Sequence, residues 1–289
     1  MYIFPVNFQP KTYTLQPRVN FRGRLEKDVV NFSKKEFLTL PPKEIWARIK
    51  ASLSNAKNFI GKGGEAKVWK IEGTNYCIRI VYDAVINQNL KPDFNISEKD
   101  KVNHVVAKFD DDFTIMPVIE GVTFYSNKIN NDKVASIVEN MPQEAFDRLF
   151  LQVYHAEKIG MKFDSGPCNI IINPEELTMT AIDFSELVLS TSMMSRILWS
   201  LVPQYISNEA QVKHCAGRIM LALLTALNSG CDIDLGVCGI SRFIDSVVDN
   251  KNYARILKNE FEKISNGEAS ITGSEKVIRA VVRQLFFDS

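Results

Sequence analysis

The chain has 289 residues, 45% of them hydrophobic, which is enough to fill one core or two tightly packed lobes. Its 35 basic and 34 acidic residues leave a net charge of +1, which argues against a nucleic-acid partner or an anionic membrane surface. The five cysteines (Cys77, Cys168, Cys215, Cys231, Cys238) are odd in number, scattered and without a CxxC pair, so neither a disulfide framework nor a zinc site is expected and a reducing compartment fits.

Met1 to Asn20 lacks a continuous apolar segment, so no Sec-type signal peptide is expected there. No apolar run reaches the roughly 18 residues that a transmembrane helix needs. Pro5, Pro10 and Pro17 with mixed polar neighbours give residues 1–40 an irregular character. "PPKEIWARIKASLSNA" opens on two prolines and spaces Ile45, Ile49 and Leu53 as a helix does, so a short helix is expected.

Residues 57–82 read as β structure. Two runs, Lys67–Ile71 and Tyr76–Tyr82, flank a turn at Gly73-Thr-Asn. In "SEKDKVNHVVAKF", Val102, Val105, Val106 and Phe109 fall at helical spacing, which predicts an amphipathic helix with Ser97 available as its cap. "FTIMPVIEGVTFYSNKI" reads as two strands turning near Glu120-Gly121. A helix is expected from Pro142 to Ile159, ended by Gly160. "IIIN" and "MTAID" read as two short paired strands joined by "PEEL". The remainder is helical in pattern, and "QVKHCAGRIMLALLTALNSG" is apolar on most faces, as a buried helix would be. The order is a β-rich first half with one inserted helix, then a helical second half.

Four groups of residues carry possible chemistry. Gly61, Gly63 and Ala66 in "IGKGGEAKV" follow a G-x-G-x-x-[GA]-x-V spacing. Such glycines let backbone N–H groups approach phosphate closely, although a plain glycine-rich hairpin turn reads the same way. No G-K-[ST] follows, and the strand-like "KVWKI" stands where a dinucleotide fold would begin a helix. Arg79 interrupts the apolar strand "YCIRIVY" and is either an edge-strand arginine facing solvent or a cation for phosphates. Asp164 and Asn169 bracket a tight Ser-Gly-Pro-Cys loop, and Asp183 ends the second strand of the expected hairpin. Each is a common turn residue, but together they form an oxygen-rich set suited to Mg²⁺.

Taken in order, these elements resemble the protein kinase-like superfamily over roughly Phe59 to Ser190. Gly61, Gly63 and Ala66 match its glycine-rich loop, with Lys62, Gly64 and Val68 in the same nucleotide-binding stretch. "YCIRI" stands where the family's third strand carries a phosphate-binding lysine. "YHAEKIGMKFDSGPCNIII" is similar to the family's "LHxxGIxHxDLxPxNILL", with His155, Gly160, Asp164, Pro167, Asn169 and Ile170 in place, and "IDFS" resembles its DFG motif.

The resemblance implies an α+β, bilobal protein kinase-like fold with a β-rich N-lobe and a helical C-lobe. Residues 1–56 would be an N-terminal extension with a short helix, 57–131 the N-lobe and 132–289 the C-lobe. It implies an ATP-dependent kinase in which Asp164 orients or deprotonates the acceptor hydroxyl, and Asn169 and Asp183 hold Mg²⁺ or Mn²⁺. Arg79 would meet the phosphates, and Glu98 would pair with Arg79; a first-turn acid stabilised by the helix dipole is the other reading of Glu98.

Departures accompany the match: Arg79 for lysine, Lys162-Phe163 for His-Arg, Gly166 for lysine, Ser185 for the DFG glycine, and no APE motif. The short activation segment resembles that of compact bacterial effector kinases and of small-molecule kinases. The expected partner is a protein substrate bearing Ser or Thr, with a host protein as substrate or activator in the effector reading. Nucleic acid and a transmembrane segment are not expected. The expected location is the cytoplasm, or a host cell reached through a specialised secretion system. A pseudokinase acting as a binding module and a kinase of an aminoglycoside, sugar or inositol phosphate stand as alternatives.

Overall fold

The structure is a computed structural model that describes residues 37–62, 65–85, 90–125, 129–164, 166–186, 209–231, 239–268 and 271–288. The protein is of mixed α and β type and divides into two compact units, Met1–Glu120 and Gly121–Ser289.

The first unit is built on five antiparallel strands: β1 (Phe59–Lys62), β2 (Ala66–Lys70), β3 (Tyr76–Val81), β4 (Ala107–Asp110) and β5 (Phe113–Pro117). Their order across the sheet is β1-β2-β3-β5-β4. Gly73, at φ 73°, takes the left-handed conformation that turns β2 into β3. Alternation along the strands gives the sheet two faces. One holds Ile78, Ala107, Phe113 and Ile115, and Phe37 and helix α1 (Pro42–Ser54) pack into the same core. Trp46 of α1 stacks 4.4 Å from Phe109 and 5.5 Å edge-on from Phe113, and its indole N–H donates to the Leu90 carbonyl at 2.9 Å. Buried Ser52 accepts the Glu72 N–H at 2.9 Å, tying α1 to the β2–β3 turn. The expected helix is therefore present, but Phe37 and α1 belong to the body of this unit rather than to an extension outside it.

The helix expected through Phe109 is cut short. Helix α2 spans only Glu98–Val102, with Ser97 as its cap, accepting the Asp100 N–H at 3.2 Å. His104 then adopts φ 62°, and the chain enters β4. Val102, Val105, Val106 and Phe109 have a helical spacing in the sequence, yet Val106 N–H bonds to Ile115 and the next residues join the ladder. Residues with high strand propensity and a long-range partner overrode the local period.

The second unit begins where a second strand was expected after Pro117. There, among the described residues, only Val122 pairs, in an isolated bridge to Ile172. Gly121 permits this close pass, because a Cβ there would lie 2.5 Å from the Ile172 carbonyl oxygen. Helix α3 (Asn131–Glu139) follows, then α4 (Gln143–Lys158), which buries Phe146, Leu149, Phe150 and Val153. Gly160, at φ 79°, stands just beyond its end. Strand β6 (Lys162–Phe163) pairs with β9 (Phe184–Ser185), and β7 (Ile170–Asn173) pairs with β8 (Thr178–Ala181) in the expected hairpin, which ends two residues short of Asp183.

Four helices complete the unit: α5 (Glu209–Asn228), α6 (Ile240–Val247), α7 (Lys251–Ser265) and α8 (Ile271–Phe286). Helix α5 is largely buried from Cys215 to Leu227, as its composition requires, and packs on α4 and α8. Gly217 sits where a Cβ would come 2.8 Å from Phe286, so the α5–α8 approach depends on its bare backbone. Among the described residues no helix is long and apolar enough to cross a membrane. The sequence after Leu187 that would hold a short activation segment, and Cys238, lie outside the described residues.

Candidate active site

The candidate residues fall in both units. In the first, Gly61 is buried opposite Val68, and exposed Lys62 stands directly opposite exposed Lys67. Like charges in that arrangement repel, and an anion between them would relieve the repulsion. Ala66 is buried opposite Val81. Gly63 and Gly64 lie outside the described residues.

Arg79 is on the central strand β3, flanked by Val68 of β2 and Thr114 of β5, so the edge-strand reading does not hold. Its side chain is one-third exposed and lies 3.7 Å from the carboxylate of Glu65, beside the glycine-rich turn. Glu98 instead bonds Lys101 at 2.5 Å on an exposed surface of α2. The expected Arg79–Glu98 pair is thus replaced by Arg79–Glu65. Glu98 has the place of a first-turn acid, where the helix dipole favours it.

In the second unit Asp164, Asn169 and Asp183 converge through their backbones. The β6–β9 pairing sets Phe163 beside Phe184, with rings 5.6 Å apart. One residue beyond that pair, Asp164 N–H donates to the Asp183 carbonyl at 2.9 Å. The loop then folds tightly. Gly166 N–H donates to the Asp164 carbonyl at 2.7 Å, Asn169 N–H donates to Gly166 at 2.8 Å, and Ile182 N–H donates to the Asn169 carbonyl at 2.8 Å. Asn169 is 4% exposed, and its Nδ2 donates to the Asp164 carbonyl at 2.9 Å. That bond fixes the amide and leaves Oδ1 as its acceptor end.

Asp183 adopts φ 67°, an unfavourable conformation for a side-chain-bearing residue and one that recurs at functional sites. Cys168, between Asp164 and Asn169, places its Sγ 3.7 Å from Asn169 Oδ1. Burial pushes its thiol pKa up, and the charges of Asp164 and Asp183 push it further in the same direction.

Gln152 of α4 holds this arrangement from behind. Its Nε2 donates to the Ala181 carbonyl at 2.9 Å, and its Oε1 accepts the Ala181 N–H at 3.0 Å. One amide thus serves the outer edge of β8 as a neighbouring strand would, two residues before Asp183. The signal available in the sequence was a polar residue on the apolar side of an otherwise amphipathic helix. His155, matched to the family motif, is exposed on α4 beside Tyr154.

The donor set suits a hard divalent cation. Among the described residues no three His, Cys, Asp or Glu side chains form a metal cage. Asn169 and Asp183 offer two oxygen ligands, which matches Mg²⁺ or Mn²⁺ completed by water and phosphate oxygens rather than a closed protein site. The chain matches no protein-family model and no curated protein.

Proposed function

We propose that the protein is an ATP- and divalent-metal-dependent phosphotransferase of the protein kinase-like type, acting on a protein Ser or Thr hydroxyl. The observation that carries this reading is the Asp164–Asn169–Asp183 arrangement. A buried asparagine is tied to the backbone of one aspartate, and that aspartate's N–H is tied to the backbone of the other. Turn-forming roles alone do not require Asn169 to be buried or Asp183 to hold a positive φ. The strand order β1-β2-β3-β5-β4, with a cation at the middle of β3, supports a nucleotide-phosphate site in the first unit.

In this reading Asp183 and Asn169 Oδ1 hold the metal, which supplies neutralisation of the phosphate charge when bound. Arg79 and the glycine-rich turn take the phosphates, with Lys62 and Lys67 adding positive charge beside the turn. Asp164 orients the acceptor hydroxyl and takes its proton as the oxygen attacks the γ-phosphorus. The bond to the ADP oxygen breaks, and ADP leaves with that electron pair.

A nucleotide-binding module without transfer is the second reading, favoured by the pairing of Arg79 with Glu65 rather than with a carboxylate of α2. Incubation with radiolabelled ATP and Mg²⁺ or Mn²⁺, with and without host-cell extract, separates the two. Label on protein supports the transferase, and label on a metabolite moves the acceptor to a small molecule. Retained ATP binding with no label in any fraction supports the module. No binding by the wild type and by Asp183→Asn alike would overturn both.

A further inference from the structure

Gly166 stands where the resemblance places a lysine, and its backbone does not explain why it is glycine. It adopts φ −88° and ψ 136°, an extended conformation open to any residue and the one favoured before a proline such as Pro167. What requires glycine here is space. A Cβ at position 166 would lie 3.0 Å from Cys168 Sγ, closer than side chains normally approach, and 3.4 Å from Asn169 Nδ2, an ordinary contact. The obstruction is therefore the thiol. The asparagine by itself would leave room for a side chain at 166.

The thiol in turn engages Asn169. Its S–H donates to Asn169 Oδ1 at 3.7 Å, while Nδ2 of the same amide donates to the Asp164 carbonyl at 2.9 Å. Both ends of a 4% exposed amide are thus engaged, and the two bonds agree on its orientation. A flipped amide would set Oδ1 against the Asp164 carbonyl, and two acceptors repel. The Asp164 carbonyl also accepts the Gly166 N–H at 2.7 Å. Residue 166 is therefore fastened to the carbonyl that holds the amide, and it cannot back away from the thiol without losing that bond. A side chain at 166 displaces Cys168 Sγ instead, and with it the donor to Asn169 Oδ1.

We propose that Cys168 and Gly166 act as one coupled pair of positioning residues for Asn169. The thiol holds the amide in the orientation that presents Oδ1 as acceptor, and the bare backbone at 166 gives the thiol its place. A side chain at 166 and the Cys168 thiol exclude one another, so the loss of the lysine and the presence of the cysteine are a single change. The hold on Asn169 stands on this loop alone. Its consequence for metal affinity rests on the function proposed above.

The test is a double-mutant cycle of Gly166→Ala and Cys168→Ala, with Cys168→Ser as the conservative variant. It is read by thermal melts, by solvent exchange of the Asn169 side-chain NH₂ protons in NMR spectra, and by Mg²⁺ titration at fixed ATP. Gly166→Ala is expected to melt below wild type. In the Cys168→Ala background the same change meets only the ordinary 3.4 Å contact and reduces unfolded-state freedom, so it raises Tm by about 1–4 °C. The Asn169 NH₂ protons exchange faster in Gly166→Ala and in Cys168→Ala, but not in Cys168→Ser, which keeps a donor. Both single alanine variants and the double variant need about two- to fivefold more Mg²⁺ for half-maximal ATP binding, the same factor in all because each loses the same weak bond. Gly166→Ala that shifts Tm equally in both backgrounds overturns the pairing. Cys168→Ala that leaves Asn169 exchange unchanged overturns the hold on Asn169, whatever the Mg²⁺ result. Faster exchange with an unchanged Mg²⁺ requirement, or with no Mg-ATP binding at all, supports the pair and counts against the metal role given to Asn169.

Discussion

Gln152→Ala tests how the second unit holds its acidic residues in place. Ala181 is fully buried, and its outward N–H and C=O both bond the Gln152 amide. Truncation removes both partners at once. Leaving a buried backbone group without its partner costs about 1–2 kcal/mol, so the pair gives a loss of about 2–4 kcal/mol. For a domain of this size that corresponds to a fall in melting temperature of about 5–15 °C. Gln152→Glu is expected to be worse than its size suggests, because a carboxylate oxygen then faces the Ala181 carbonyl. The effect reaches function because Asp183 follows Ala181 by two residues and Ile182 N–H bonds the Asn169 carbonyl. Thermal melts and Mg-ATP titrations of wild type, Gln152→Ala and Gln152→Glu provide the assay. A Gln152→Ala protein that melts within about 1 °C of wild type and binds Mg-ATP equally well would refute the bracing role.

Asp164→Asn should leave Mg-ATP affinity near the wild-type value and slow transfer by about 100-fold or more, since orienting and deprotonating the acceptor is a transition-state role; single-turnover rates with saturating ATP check this. Glu275 gives a pH-dependent contribution. The hydrogen bond from Arg279 Nε, at 2.7 Å, lowers its carboxyl pKa against the opposing effect of burial, and Asn228 adds a bond at 3.1 Å. A carboxyl whose folded pKa lies below its unfolded one stabilises the fold above the unfolded value and loses that contribution as pH falls through the folded one. Glu275→Gln should therefore melt below wild type at pH 7, with the gap closing below about pH 4, as parallel melts over pH 3–7 would record.

Much of the second unit was legible because its signals are local. The α4 helix has Pro142 before it, an apolar stripe through Phe146, Leu149 and Val153, and Gly160 after it. The β7–β8 hairpin has two short β-rich runs around a turn, and the observed register, Ile170 opposite Ala181, follows from them. Asp164, Asn169 and Asp183 were legible as a group because a hairpin and a tight loop must bring them together.

The first unit was harder. Val102, Val105, Val106 and Phe109 satisfy a helical period, but the pairing of β4 with β5 is a long-range choice that no local period reveals. The Arg79 partner was placed by analogy on α2, whereas Glu65 is next to it through the β2–β3 ladder and Glu98 has a nearer cation in Lys101. Trp46 was visible only as a helical residue. Its burial against Phe109 and Phe113 depends on strands more than 60 positions away. Gln152 shows in the sequence only as a polar residue on the apolar side of α4, and nothing in its own helix reveals that the edge of β8 lies opposite.

The Asp164–Asn169–Asp183 site is tested most directly by Mg-ATP titration of wild type and Asp183→Gly, each paired with a thermal melt. Asp183 carries φ 67°, which glycine adopts without steric cost, so relief of strain and added unfolded-state freedom roughly offset and stability stays within about 1 kcal/mol of wild type. The account predicts an Asp183→Gly protein that melts like wild type and has lost metal-dependent nucleotide binding. An equally stable variant that binds Mg-ATP with wild-type affinity would contradict it.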